Sequence, residues 1–371
     1  MSVPPFIQHR AMVHRELIAR GGQGGPTRAP GQMEVVAGNR PEPGPPGLRT
    51  LKNAIVLSGE WLVVAEPNIY LDHYHQSPHP PHSAYVASIA PRQAVVVFEE
   101  AIAAPVAEAF MLGGCANYAH WLLDYLPLLS HLRSAPPGVK ILVNSDLRPF
   151  QAQALALLGI SALRLVKLEY PRAYSIPRLH LPLVNSAAGY PEDVRLAPEL
   201  LAWLRAAVLP AAAPPNRRGG TPTPRRVFIS RKQDAPARRR LVNEDEIEAV
   251  AARWGFVPVV AQSLSFTDQV RLFAGAEAVC GPHGAGMANM AFAPADSLLI
   301  ELLGPAFNAK YRADVFFHQI ANMLGQRHRR VVGTTVDAHL LDPVFLNNER
   351  YRMDPSAVEA TLRESLGPAT T

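Results

Sequence analysis

The chain has 371 residues, a net charge of +5 and 48% hydrophobic residues, the balance of an ordinary globular protein that is long enough for two domains. The positive charge suits an anionic ligand, but the basic residues are not interleaved with aromatic ones, so we expect no nucleic-acid partner. The two cysteines, Cys115 and Cys280, exclude a disulfide framework, and no Cys/His spacing typical of a metal site is present.

The first 50 residues are rich in Pro, Gly and Arg, which predicts a flexible segment over residues 1–50. The segment has no signal-peptide hydrophobic region, and no apolar run in the chain approaches the ~20 residues of a membrane span. We therefore expect a cytoplasmic protein with at most a peripheral attachment at the inner membrane. Four histidines, from His73 to His82, follow in a Pro-rich stretch, where we favour a polar loop over a metal site because no regularly spaced carboxylates accompany them.

Strands and helices alternate over residues 51–208, which indicates an α/β domain. The run NYAHWLLDYLPLLSHLR predicts a helix with Asn117 as its N-cap. Further on, LHLPLVNSAAGY is predicted to be a loop, and a helix should extend from about Pro198 to Val208. The Pro/Gly-rich run over residues 209–224 predicts a linker.

Predicted strands and helices alternate more regularly over residues 225–371. This pattern predicts a doubly wound parallel sheet of five strands with four intervening helices. The predicted strands are RRVFISR, FVPVVAQ, AEAVCG, SLLIELL and HRRVVGTT. A long helix is expected from Ala309 to Leu324 and a final one from Pro355 to Leu366. The third strand runs into the turn GPHGAG, and a glycine-rich turn between a strand and a helix presents backbone N–H groups to a phosphate. Two α/β domains also imply a cleft between them.

Three stretches, in this order and spacing, resemble glycosyltransferase family 61, including its capsular polysaccharide biosynthesis type. They are GCANYAHWLLDYLPL from Gly114, ISRKQDAPARRRLVNEDE from Ile229, and the run from Leu264 to Leu302 that contains the glycine-rich turn. The resemblance implies the GT-B class, in which two Rossmann-like domains face each other across a cleft. It also implies inverting transfer from a nucleotide sugar, chiefly a UDP-sugar, to a hydroxyl of a glycan or glycoconjugate acceptor.

The residues themselves agree with a sugar donor whose diphosphate becomes the leaving group, because its charge must be stabilised by a metal or by fixed donors. No Asp-x-Asp pair is present, so we expect metal-independent transfer without a cofactor. The candidate donor-binding groups are His283, the backbone of Gly284, Ala285 and Gly286, Arg231, and either Arg239 or Arg240 from the run that begins at Arg238. Asn289 could contact phosphate or sugar, or cap a helix. Glu301 could accept the ribose hydroxyls, or form a salt bridge.

The acceptor hydroxyl needs a base, and His120 and Asp124 lie four residues apart, on one helix face. Either Asp124 orients the imidazole of His120, or Asp124 is itself the base. Asn117 and Tyr118 are candidates for the acceptor side, and Asn243 and Glu244 match a family pair that helix capping also explains. Two other functions stay open: a nucleotide-sugar epimerase or hydrolase, and a non-enzymatic subunit that binds a nucleotide or glycan. The sugar, the linkage and the oligomeric state are not specified by the sequence.

Overall fold

The structure is a computed structural model that describes ten segments of the chain. They are residues 33–41, 47–71, 83–90, 92–183, 197–213, 223–233, 239–311, 316–336, 338–340 and 349–367. The predictions for residues 1–32, for the histidines from His73 to His82, for Arg238 and for the centre of the linker lie outside the described residues. The chain divides into two compact units. The first comprises Met1–Ala152, Gly159–Pro191 and Arg195–Leu200, and the second comprises Gln153–Leu158, Glu192–Val194 and Leu201–Thr371.

Among its described residues, the first unit contains a mixed sheet of 11 strands in the order β10-β9-β8-β11-β2-β3-β4-β1-β6-β5, with β7 beside β11. Strands β10, β9, β8 and β11 are parallel neighbours, whereas β11 and β2 pair antiparallel over almost their whole length. The strands are β1 (Met33–Asn39), β2 (Gly47–Leu57), β3 (Leu62–Ala65), β4 (Asn68–Tyr70), β5 (Val86–Ala90), β6 (Gln93–Glu99), β7 (Ile102–Ala103), β8 (Glu108–Met111), β9 (Lys140–Asn144), β10 (Leu165–Leu168) and β11 (Ala173–Leu183).

Two predictions for this unit are wrong. Residues 33–39 and 47–50 form strands instead of a flexible segment, because β1 pairs with β6 along its full length and β2 pairs with β11. The predicted loop begins inside β11, where Leu179 to Leu183 pair with β2. Pro182 suggested a loop since it lacks an N–H, but it is accommodated opposite Leu48 in the long antiparallel ladder. The α/β alternation is therefore confined to the part of the sheet around β8, β9 and β10.

In the part of the second unit that the structure describes, five strands form a parallel sheet in the order β14-β12-β15-β16-β17. All five predicted strands are confirmed, as β12 (Arg226–Ile229), β14 (Val257–Val259), β15 (Ala278–Pro282), β16 (Leu298–Leu303) and β17 (Arg327–Val332). A small second sheet has the order β13-β19-β18, with β13 (Arg240–Leu241), β18 (Thr334–Val336) and β19 (Arg350–Arg352). In chain order the main sheet reads 2-1-3-4-5, so the direction of winding reverses between β12 and β15, the place where doubly wound sheets bind ligands.

The predicted C-terminal helix is confirmed as Pro355–Leu366, and Asp354 is its N-cap. Other ends differ from the expectation. The helix Pro198–Ala212 extends four residues into the predicted linker, because Val208 and Ala212 are buried apolar side chains of its packed face. The described residues of the helix predicted from Ala309 to Leu324 belong to the helices Pro305–Tyr311 and Phe317–Leu324, and residues 312–315 lie outside the described segments.

The remaining α-helices are Tyr118–His120, Pro149–Leu157, Glu244–Ala252 and Phe266–Ala274; the π-helical turn is Trp121–Tyr125; the 3-10 helices are Leu126–Ser134, Ala162–Arg164, Ala261–Ser263, Ala285–Phe292 and Ala338–Leu340. Across the described segments, none of these helices combines the length and the apolar character that crossing a membrane requires.

Each unit has its own hydrophobic core. In the first unit, one cluster of buried side chains joins β2, β3 and β6, and includes Leu57, Leu62, Tyr85, Val96 and Phe98. In the second, the core lies between the parallel sheet and the helices Glu244–Ala252 and Pro355–Leu366, and includes Phe228, Ile247, Trp254, Ile300, Tyr351 and Leu362. Such apolar burial is the main force that stabilises each unit.

Candidate functional site

In the first unit, the candidate residues lie where β8 leads into a helical run. Gly113 has φ +79°, and a Cβ at this position would lie 2.9 Å from Cε1 of Tyr125 and 3.1 Å from Cγ of Trp61. The indole Nε1 of Trp61 donates to the carbonyl oxygen of Gly114 at 2.7 Å. The glycines thus let the chain turn tightly against two buried aromatic side chains, which positions the start of the helix.

Asn117 begins this helix, and its predicted role as N-cap is confirmed. Its side-chain oxygen accepts from the backbone N–H of Ala119 at 2.9 Å and of His120 at 3.3 Å. Tyr118, the first helical residue, packs edge-on against Phe150 with ring centroids 5.2 Å apart. Whether Asn117 or Tyr118 contacts an acceptor stays a prediction.

His120 and Asp124 form the contact that their spacing predicts. Nδ1 of His120 lies 2.8 Å from Oδ2 of Asp124, with the imidazole 39% exposed and the carboxylate 7% exposed. A π-helical turn, Trp121–Tyr125, carries Asp124, and the N–H of Leu126 closes it on the carbonyl of Trp121. The buried carboxylate therefore holds Nδ1 of the imidazole, and the ring is partly exposed.

In the second unit, the glycine-rich turn follows β15, whose residues are all buried. A Cβ at Gly281 would lie 2.7 Å from the carbonyl oxygen of Ile229, so glycine permits the close approach of β15 to β12. The N–H of His283 donates to Leu302, and the N–H of Met287 donates to the carbonyl of Gly284 at 3.0 Å as the first bond of the 3-10 helix. The N–H groups of Ala285 and Gly286 precede that bond, so the helix itself does not satisfy them.

Arg231 lies against this turn. A Cβ at Gly284 would be 3.1 Å from Nη1 of Arg231, and the same guanidinium donates to the carbonyl oxygen of His283. The loop that carries Arg231 is held by Glu244, which accepts from the hydroxyl of Ser230 at 2.8 Å and from the N–H of Arg231 at 2.7 Å. Burial raises the pKa of Glu244, and these two hydrogen bonds oppose that rise.

The structure distinguishes Arg239 from Arg240. The guanidinium carbon of Arg239 lies 3.7 Å from the centroid of the Phe307 ring, and that ring lies 4.7 Å from the ring of His283. Arg240 belongs to β13, and its side chain is exposed. Of the two candidates that are described, only Arg239 is therefore brought beside His283.

The expectation that Glu301 accepts the ribose hydroxyls is corrected, because its side chain lacks the exposure that such a contact needs. The side chain is fully buried; Oε1 accepts from Nδ1 of His283, and Oε2 accepts from Nε2 of His328 at 3.0 Å. Burial acts to raise the pKa of Glu301, but the charge of His283 and the hydrogen bonds from both histidines lower it to about 2. The carboxylate is thus ionised and supports His283.

Asn289 also has a structural role. It is fully buried, and its Nδ2 donates to Oε1 of Gln269 at 2.9 Å and to the carbonyl of Gly286 at 3.1 Å. It fixes the turn from behind, so the predicted contact with phosphate or sugar is wrong for this geometry. Asn243 likewise makes no capping bond with its side chain, which bonds to the backbone N–H and carbonyl of Met353.

Three residues near His283 were missed by the sequence analysis: Phe307, His328 and Glu349. The buried Glu349 accepts from the N–H groups of Ala306 and Phe307, both at 2.9 Å, and so fixes the start of the helix that carries Phe307. His328 lies on β17, beside the strand of Glu301. The predicted strands include both His328 and Glu301, but the strand register that brings the two side chains together cannot be read from the sequence.

The described residues include no group of three or more His, Cys, Asp or Glu side chains suited to hold a metal ion. Metal independence itself stays a prediction.

Residues 118–300 match the family described as Glycosyltransferase 61. The matched segment includes His120, Asp124, Arg231, Arg239 and the glycine-rich turn. No curated protein matches the chain.

Proposed function

Residues 118–300 belong to glycosyltransferase family 61, and from this premise we propose that the protein is an inverting glycosyltransferase. It transfers a sugar from a UDP-sugar to a hydroxyl of a glycan or glycoconjugate acceptor, in polysaccharide biosynthesis of the capsular type. The proposal includes the GT-B fold class, which the division into two compact units supports. It also includes a cytoplasmic location with at most peripheral membrane attachment.

The observation that carries the proposal is the turn from His283 to Gly286, together with its two arginines. The turn ends β15 at the point where the winding of the parallel sheet reverses. Arg231 lies against Gly284, and Arg239 lies beside His283 through the ring of Phe307. Backbone N–H groups, arginines and a histidine are the groups that bind a diphosphate.

These groups supply fixed positive charge where the leaving group becomes more negative, so no metal is needed in the proposed reaction. We expect activity to persist in EDTA. Full loss of activity in EDTA that manganese restores would contradict this part of the proposal.

On the acceptor side, we propose that His120 is the base and that Asp124 orients it. In this proposal Nδ1 donates to the buried carboxylate, and Nε2 accepts the proton of the acceptor hydroxyl. The acceptor oxygen then forms its bond to the anomeric carbon as the bond from that carbon to the diphosphate breaks, and the nucleoside diphosphate leaves.

A thermal-shift panel of UDP, GDP, CMP and their sugars tests the proposal. A ligand at 100 times its Kd stabilises the fold by about 2.7 kcal/mol, so UDP and UDP-sugars should raise the melting temperature clearly. No shift with any nucleotide would instead favour the non-enzymatic subunit. Release of free sugar or an epimer from a UDP-sugar without an acceptor would favour the hydrolase or epimerase.

A further inference from the structure

One part of the second unit has no role in the proposed reaction: the carboxylate of Glu301 that joins two histidines. It is fully buried, and each oxygen is bound to one imidazole, His283 on one side and His328 on the other. Burying a charge this completely is costly unless it is paired and hydrogen-bonded. The arrangement therefore fixes a negative charge directly behind the histidine of the glycine-rich turn.

The ring of His283 is held on several sides. The rings of Phe307 and Phe317 lie 4.7 and 5.3 Å from it, centroid to centroid, and Glu301 binds its Nδ1. The side chain is 15% exposed, and within the described part of the chain Nε2 has no hydrogen-bond partner. Since the carboxylate is ionised and accepts, Nδ1 carries a proton, and Nε2 is the nitrogen that is left for a ligand.

The charges that face this ring come from several elements and have both signs. Burial lowers the pKa of His283; the charge of Glu301 and its hydrogen bond raise it, while Arg239 and Arg231 lower it. The net direction is downward, so His283 is neutral near pH 7 with a lone pair at Nε2. The ionisable groups around it are Glu301 on β16, His328 on β17, His318 on the helix Phe317–Leu324, Tyr351 on β19, Glu349, which precedes β19, Arg231 and Arg239.

A lone pair at Nε2 repels a phosphate oxygen, whereas a proton there makes a charge-assisted hydrogen bond. A bound diphosphate adds negative charge beside the ring, and a nearby negative charge raises the pKa of a histidine. With Glu301 on the opposite side, the imidazolium would lie between two anions. The fixed carboxylate thus raises the pKa of His283 and offsets the effects of burial and of the two arginines, which lower it.

We propose that Glu301 is a positioning residue that makes His283 a proton-linked phosphate ligand. The imidazole takes up one proton from solvent at Nε2 as the diphosphate of the donor or product binds. His328 holds the second oxygen of Glu301, and so fixes the carboxylate in line with Nδ1. The inference rests on the proposed function, since it requires that the turn binds a diphosphate. It implies that diphosphate affinity decreases as pH rises above neutrality.

Calorimetric titration with UDP in two buffers of different ionisation enthalpy measures the proton directly. At about pH 8 the terminal phosphate, with a second pKa of about 6, is already ionised, so proton uptake reports on the protein. The wild type should take up a large fraction of one proton per UDP. His283→Asn should take up close to none.

Glu301→Gln tests the carboxylate, because the amide oxygen can still accept from Nδ1 while the charge is lost. Without that charge the pKa of His283 falls further, so proton uptake at about pH 8 should decrease and UDP affinity should weaken by about tenfold per unit of pKa change. The loss should diminish as pH is lowered. Glu60→Gln is the matched control: Glu60 is a buried carboxylate of the first unit that accepts from Ser83 and Ala84, and its loss should leave proton uptake unchanged.

Wild-type proton uptake near zero overturns the inference, as does Glu301→Gln with the same uptake and pH dependence as the wild type. Nitrogen-15 spectra of histidine in nucleotide-free protein give an independent answer, even where Glu301→Gln does not fold. They should show His283 with its proton on Nδ1, and a proton on Nε2 at neutral pH would refute the assignment. If UDP, GDP and CMP all fail to bind, the proposed function fails, while these spectra still decide the state of His283.

Discussion

Arg239 and Arg240 are adjacent in sequence, but the structure gives them different surroundings. Arg239 stacks on Phe307 beside His283, and Arg240 points to solvent from β13. Removing a charged hydrogen-bond donor from a bound phosphate costs about 1.5 to 3 kcal/mol, so Arg239→Ala should weaken UDP binding by about tenfold or more. Arg240→Ala, the matched control, should change affinity by less than about twofold at moderate salt. Calorimetric titration of both variants makes the comparison, and equal losses would place the diphosphate elsewhere.

His120→Ala and Asp124→Asn should each reduce turnover without weakening UDP binding. The first removes the proposed base, and the second keeps a hydrogen-bond acceptor but loses the charge that supports the imidazole. A tenfold loss corresponds to about 1.4 kcal/mol of barrier, and we expect at least that for each. The readout is initial transfer rates at saturating donor.

His131→Ala is the control for these two variants, since His131 lies in the same helical run and, within the described segments of the chain, forms no hydrogen bond with Asp124. Unchanged turnover in both His120→Ala and Asp124→Asn would show that the acceptor-side base is a different group.

At the level of residues, the sequence predicted contacts that depend on local spacing. The pair of His120 and Asp124 follows from four-residue spacing on one helical face, and the cap by Asn117 follows from its place before the helix. The surroundings of Glu301 and Asn289 could not be predicted in this way. Each is buried by a partner from a distant segment, His328 and Gln269, and side-chain burial decides whether a polar group faces a ligand or the protein.

The glycine-rich turn is the element on which the proposed donor site depends, and its glycines have different steric requirements. Gly281 has φ +158° and no space for a Cβ, so Gly281→Ala should destabilise the second unit by about 1 to 3 kcal/mol. A Cβ at Gly286 would make only ordinary contacts, 3.4 Å from Cγ2 of Ile229, and its φ is outside the left-handed region. Gly286→Ala should therefore fold with stability within about 0.5 kcal/mol of the wild type. Denaturant unfolding compares the two, and an unstable Gly286→Ala would show that Gly286 is needed for folding rather than for a ligand.

The two sheets were predictable to different degrees. Buried parallel strands appear in the sequence as continuous apolar runs separated by helices, and all five in the second unit were identified. The antiparallel part of the first unit depends on pairings between distant segments, such as β1 with β6 and β2 with β11. No local pattern specifies such a partner, which is why β1 was assigned to a flexible segment and the end of β11 to a loop.

For the molecule as a whole, the buried Glu301 makes the stability of the fold depend on pH in the acid range. Its pKa is about 2 in the folded protein, below the ordinary value of 4.5, so the charged form stabilises the fold above pH 4.5. That contribution is lost as pH falls from 4.5 toward 2. The melting temperature of the wild type should therefore decrease more steeply over this interval than that of Glu301→Gln. Parallel curves would mean that the carboxylate is not ionised in the folded state.

UDP titration of the wild type and of Gly286→Ala tests most directly whether the glycine-rich turn of the second unit binds the diphosphate of a donor. A methyl group at residue 286 has space in the free protein. We expect it to obstruct the close approach of a phosphate to the backbone N–H groups of the turn. We predict that UDP binds the wild type, and that Gly286→Ala, at equal stability, binds it at least about tenfold more weakly, a loss of about 1.4 kcal/mol. Equal affinity in the two proteins, or no binding of UDP to the wild type, would contradict the assignment of this turn to the diphosphate.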